Sequence, residues 1–298
     1  MSEPSFDSYS HSGKTGAGAL PAGLIGGVAG GIVLAWVYQL FIDWIPLVYF
    51  SFFATLIFGL ALGYLMGSAL HWGHCRNNAL ATALTVVVSL VAIAASYGCA
   101  YYRVASDLAS KKSVPTSEVV QRLPLGKYLE IRVESGWKLG RGGGLPISGV
   151  FVYVVWALEA LMILGGAVVT ARSVIEKPYC EDCLKWSEEE TLGRKSSVSP
   201  EVVSRAAAQG SIDELIAAPS DPAGTSALVY KLHACNDCLQ LAYLTITREW
   251  SETNSKGEVE QKNETVASMV RVSQKQRDRL KDELKGAVPP GPIEEAQA

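Results

Sequence analysis

Apolar and polar positions are segregated along this chain. No charged residue occurs from Thr15 to Ile42, from Trp44 to Cys75 or from Asn77 to Tyr102, and from Gly142 to Ala171 there is one, Glu159. A soluble surface needs charge, and stretches this long without it are rare in soluble domains. A hydrocarbon core about 30 Å thick is crossed by roughly 20 apolar residues of helix. The pattern therefore predicts four transmembrane helices, at about 21–41, 47–70, 80–100 and 149–170.

Each span carries its own signals. The first is dense in glycine, with Gly23, Gly26, Gly27, Gly30 and Gly31 on one flank. The second carries Gly59, Gly63 and Gly67, four apart, a row that lets another helix approach closely. The expected partner is the glycine flank of the first span, and such faces could also support a homo-oligomer. Ile42 to Pro46 is expected as an interfacial turn, with Trp36, Tyr38, Trp44 and Tyr49 forming an aromatic belt. His71, His74 and Cys75 lack a fourth ligand nearby and are read as a second interfacial turn. Cys99 reads as a plain buried thiol.

The 101–148 connection is expected as a loop. Tyr128 to Glu134 alternates as a strand would, and Gly136 to Gly144 is a flexible re-entry. Gly140 to Pro146 lacks the order of a phosphate-binding loop and no strand–loop–helix unit surrounds it. Glu159 stands near the middle of the fourth span, where a carboxylate is costly and often functional. With no second charge deep in a span, its expected role is structural: protonated, facing the bundle interior and donating a hydrogen bond to a helix carbonyl.

Beyond Ala171 the chain turns polar. Residues 172–298 hold 16 Lys+Arg and 21 Asp+Glu, a balance of about -5 that argues against nucleic acid as a partner. Ser199-Pro200-Glu201 opens a helix, and Ser211 with Glu214 forms a capping box for a second. Leu241–Trp250 and Thr265–Val272 read as strands joined through a turn at 254–257.

The chemistry is carried by Cys180-x-x-Cys183 and Cys235-x-x-Cys238. Two residues between cysteines let both thiolates of a knuckle face one metal, and two knuckles complete an S₄ tetrahedron for zinc. With the strand after Cys238, these residues resemble a zinc ribbon, which implies a knuckle at the turn of each of two hairpins. The separation of 51 residues between Cys183 and Cys235 exceeds the roughly 15–20 of the common spacing. A helical insert at 199–218 accounts for the excess, since a longer surface loop costs little closure entropy. His233 could replace a cysteine, but the second knuckle is already complete. Redox-active pairs or disulfides are the other reading, although the βαβ context of a thioredoxin-type motif is missing.

The expected architecture is thus an α-helical membrane bundle of four transmembrane helices plus a small soluble α+β zinc-ribbon-like domain. Its parts are a disordered tail at 1–20, the transmembrane domain at 21–171, the soluble domain at 172–286 and a disordered tail at 287–298. The expected cofactor is structural Zn²⁺ on Cys180, Cys183, Cys235 and Cys238. Free thiolates persist in a reducing compartment, which places both termini in the cytoplasm, with a bacterial inner membrane as the setting. The eight Lys+Arg of 103–147 point the other way, with less weight because that loop is long. The expected role is non-enzymatic: a membrane-anchored scaffold or regulator whose soluble domain binds a protein partner. A small transporter or channel component using Glu159 is one alternative, and a membrane redox protein using the cysteine pairs is another.

Overall fold

The computed structural model describes residues 7–44, 48–138, 146–218, 226–238, 240–254 and 257–284. The centre of the turn at 45–47, the glycine-rich stretch 139–145 and the tail from 285 lie outside the described residues. The chain forms two compact units, residues 12–176 and residues 1–11 with 177–298.

The first unit is the helical one. It contains α1 (Ala19–Pro21), continued through a π-helical turn (Ala22–Gly26) into α2 (Gly27–Trp44), then α3 (Val48–Trp72), α4 (Asn78–Lys112), α5 (Thr116–Arg122), α6 (Leu125–Ser135) and α7 (Val150–Ile175). Among the described residues, four helical segments are long and apolar enough to cross a membrane: Ala19–Ile42, Ser51–Trp72, Asn78–Lys112 and Val150–Ile175. Their outer faces carry large apolar side chains. Ile25, Ile57, Leu161 and Val169 are 64–73% exposed, a surface that suits acyl chains and would be a liability in water.

Small residues set the internal packing. A Cβ placed on Gly59 would lie 2.9 Å from both Cα and O of Ile163, and one on Gly67 would lie 2.7 Å from Val174 Cβ. On Gly63 it would meet the Ala167 carbonyl oxygen and stand 2.7 Å from Thr170 Cβ. The row therefore seats α3 against the backbone of α7, the fourth span, and not against the glycine flank of the first. That flank faces side chains instead: Gly23 lies under Leu70 and Leu84, Gly27 under Met66 and Val88, and Gly31 near Ala92 and Leu62. An oligomer built on the Gly59–Gly67 row would have to displace α7.

Two sequence expectations fail in this unit. Residues 128–134 form part of helix α6 and not a strand, because Leu125, Leu129 and Val133 recur at helical spacing behind Pro124; Tyr128 and Val133 are buried. Residues 13–16, expected within a disordered tail, are held by backbone hydrogen bonds to 74–76, including Arg76 N–H to Lys14 O at 2.9 Å. Helix α4 also runs further than the apolar count requires. It continues to Lys112 and stops at Ser113, which takes a left-handed conformation. Cys99 is half-buried.

The second unit contains β3 (Tyr179–Cys180), β4 (Lys185–Trp186), β5 (Glu188–Val198), α8 (Pro200–Ala208), α9 (Ile212–Ala217), β6 (Ser226–Ala234), β7 (Ala242–Thr253), β8 (Val259–Arg271) and α10 (Gln274–Leu284). Two-residue strands β1 (Trp137–Lys138) and β2 (Pro146–Ile147) pair in the first unit. Strands β5-β6-β7-β8 make one antiparallel sheet in that order. Its core joins Leu228, Tyr230 and Leu232 of β6 and Leu244 and Ile246 of β7 to Val203, Leu215 and Leu280 of the helices. Residues 7–9 extend this sheet along β8, with Tyr9 N–H donating to Met269 O at 2.8 Å and Arg271 N–H to Asp7 O at 2.9 Å.

Candidate metal centre and the Glu159 cavity

The two cysteine pairs are far apart in sequence and adjacent in space, and the sheet explains how. Strand β5 leaves the first knuckle, the chain turns through α8 and α9, and β6 returns antiparallel to β5. The pairing Glu188↔Ala234 sets the first residue of β5, two beyond the end of β4, opposite the residue just before Cys235. The long insertion is therefore closed by a strand ladder, and its length costs the site nothing in geometry.

Each knuckle occupies a hairpin turn. Cys180 ends β3 and pairs with Lys185 of β4, and the turn 181–184 between them closes with Leu184 at φ 54°. Cys235 follows β6 and donates its N–H to Leu241 O at 3.1 Å, with Asn236 to Cys238 forming the turn into β7. The four sulfurs lie within 4.8 Å of one another, and Cys180 Sγ is 3.6 Å from Cys238 Sγ. A zinc tetrahedron with Zn–S bonds of about 2.3 Å has edges of roughly 3.8 Å, so the cluster has the right size for a metal. It is too open for bonded sulfurs, which stand about 2.05 Å apart. All six cysteines are free thiols.

The electrostatics suit a cation. The Cys238 thiol is lowered to about 7, first by the backbone N–H of Gln240. Burial raises the Cys180 thiol, and the Cys183 thiol is raised by its hydrogen bond to Cys238. One thiolate in the cluster thus opposes formation of the next, a repulsion that a divalent ion removes. Cys180 and Cys235 are buried, and Cys183 and Cys238 are half-buried. Among the described residues this is the one group of three or more potential ligands that could hold a metal ion. His71, His74 and Cys75 form no such group. His233 lies buried in β6, outside the cluster, opposite Glu189 and Tyr243.

Sequence reasoning missed the support around the cysteines. Lys185 Nζ and Asp237 Oδ2 pair at 2.7 Å, joining the two knuckles. Both are well exposed, so the link contributes little energy. More substantial is the aromatic cluster. Tyr179 and Trp186 stand 5.0 Å apart edge to face, Tyr9 packs on Tyr243 at 5.1 Å, and the Tyr179 N–H donates to Tyr9 Oη at 3.1 Å. Tyr9 lies in a stretch whose composition gave no signal.

In the helical unit, Glu159 lines a cavity of about 560 Å³ between α2, α3, α4, α6 and α7. Among the described residues its carboxylate has no hydrogen-bond or ion-pair partner, so the expected bond to a helix carbonyl is not made. Arg132 of α6 lines the same cavity. The sequence placed that arginine in a strand-like run of the 101–148 connection, where nothing connected it to Glu159.

No protein-family model, curated protein or solved structure matches this chain.

Proposed function

We propose that this protein is a multi-pass membrane scaffold whose soluble domain, closed by one structural Zn²⁺ on Cys180, Cys183, Cys235 and Cys238, docks a protein partner at the membrane surface. The observation that carries this reading is the mutual closeness of four thiols from two hairpin turns. Four protein ligands fill a tetrahedral ion and leave no position for water or substrate, which is the pattern of structural and not catalytic zinc. The paired hairpins, β3–β4 and β6–β7, support a zinc-ribbon likeness. Free thiols fit a reducing compartment, so the reading places both termini in the cytoplasm of a bacterial cell, with the α4–α7 connection outside. Capture from membranes with the full chain, compared with a Cys180→Ser/Cys235→Ser variant, tests the docking role. A partner retained by the parent and lost by the variant is expected, and equal capture by both would refute it.

A second reading is favoured by one observation: the Glu159 carboxylate faces a cavity within the bundle. In it the protein is a small transporter or channel component. Ion or proton flux into reconstituted vesicles, present with the parent and abolished by Glu159→Gln, would promote this reading over the scaffold.

A further inference from the structure

We infer that the Glu159 cavity is a binding site for a zwitterionic lipid headgroup, with a primary ammonium on Glu159 and a phosphate on Arg132. This inference is independent of the docking role of the soluble domain. It starts from an acidic and a basic side chain that line one cavity and are not paired with each other. Among the described residues, Glu159 and Arg132 line the same cavity and make no hydrogen bond or ion pair with each other. A carboxylate within an apolar bundle is costly without a partner. A single ion placed in the cavity would satisfy one charge and be repelled by the other. A ligand carrying both signs satisfies both.

The remaining walls narrow the chemistry. Tyr97 and Trp156 line the cavity with their rings 5.3 Å apart, beside Glu159. Aromatic faces attract an ammonium group, and a primary ammonium also brings three donors for the carboxylate. Arg132 offers the planar fork that suits a phosphate. About 560 Å³ is within the range of small-ligand pockets, and a headgroup with the start of its chains fits that size. Phe52 and Phe53 also line the cavity, and they are 47% and 66% exposed on the apolar outer face of the bundle. The cavity therefore meets the surface that acyl chains cover, which favours a membrane lipid over a free solute.

The ends of the helices locate the site. The lining comes from the C-terminal end of α2, the first turns of α3 and the N-terminal half of α7. Glu159 is the tenth residue of α7, about 14 Å along the helix from its start at 1.5 Å per residue. The headgroup is thus held below the bundle end where the α4–α7 connection lies, with α6 across it.

The test uses the full chain, delipidated in mild detergent. Native mass spectrometry follows retention of phosphatidylethanolamine and, separately, of phosphatidylglycerol at equal concentration, and calorimetry measures free phosphoethanolamine. The expected result is retention of phosphatidylethanolamine at least tenfold above phosphatidylglycerol. Glu159→Gln and Arg132→Gln should each weaken it by roughly tenfold to a hundredfold, the effect of losing a charged hydrogen bond. Both variants should melt like the parent; if Glu159→Gln does not accumulate, Arg132→Gln on the exposed side of α6 carries the comparison. Binding of free phosphoethanolamine with the same dependence on Glu159 and Arg132 would support the headgroup chemistry with a soluble source. Equal retention of the two lipids, retention unchanged in the variants, or no binding of either probe would overturn the inference.

Discussion

Replacing Gly63 by alanine tests the close packing of α3 on the backbone of α7. The added methyl carbon would strike the Ala167 carbonyl oxygen and stand 2.7 Å from Thr170 Cβ and 2.9 Å from Ala167 Cα. Carbon atoms rest about 3.5–4.0 Å apart, so α3 and α7 would have to separate by roughly 1 Å. The obstacle is mainly backbone, which cannot rotate away. The separation would also loosen the contacts at Gly59 and Gly67 above and below. Overpacking costs about 1–3 kcal/mol and belongs here at the upper end. Alanine returns about 0.5–1 kcal/mol through its better helix propensity. The net expectation is a loss of about 2 kcal/mol, or roughly thirtyfold in the folded-to-unfolded ratio. Unfolding of the full chain in detergent, followed by fluorescence, measures it. Gly98→Ala and Gly165→Ala are controls on α4 and α7, where a Cβ meets nothing within 4 Å. They should be neutral or stabilising by up to about 1 kcal/mol. If Gly63→Ala unfolds like the parent, or the controls are as damaging, the close α3–α7 seam is wrong.

Three further outcomes are expected. Tyr230 is fully buried and donates to Leu215 O at 2.8 Å, tying α9 to the sheet, so Tyr230→Phe should lower the stability of the α+β unit by about 1–2 kcal/mol in denaturant melts. The Glu189 carboxyl is held below the usual range by its hydrogen bond from Lys231 at 2.9 Å. A depressed carboxyl stabilises the fold above its unfolded pKa of about 4.3, and that contribution fades as pH falls through the lower folded value. Because both side chains are over a third exposed, Glu189→Gln should cost no more than about 0.5 kcal/mol at pH 7, with the difference from the parent shrinking as the pH falls below the unfolded carboxyl range. For topology, a reporter fused to the C-terminus should be active in the cytoplasm, and activity confined to an exported compartment would reverse the proposed orientation.

The sequence disclosed most where physics leaves few alternatives. Long apolar runs with at most one charged residue have no stable place but a membrane or a large core, and all four coincide with apolar helices. The cysteine quartet was equally legible, because ligand spacing is set by the metal and not by the rest of the fold. The partner of the Gly59–Gly67 row was not legible: spacing says that a backbone comes close, not which one. Tyr128 to Glu134 misled because its alternation is also compatible with a helical stripe, and Pro124 with Leu125 decided for the helix. Strand β5 was overlooked because its polar residues, among them Glu188 to Glu190, hid the pattern, and β6 because it is buried along nearly its whole length and does not alternate. The pairing of Arg132 with the Glu159 cavity depends on α6 folding back, and no local signal encodes that.

The central claim is that the four cysteines hold a structural metal. It is tested most directly by metal analysis of the full chain, purified reduced and without chelator, set beside its thermal melt. The account predicts about one zinc per chain, none in Cys180→Ser/Cys235→Ser, and a soluble unit that melts markedly lower after chelation, because metal binding is coupled to folding. A reduced parent protein with no bound zinc whose soluble unit melts the same before and after chelation would contradict it.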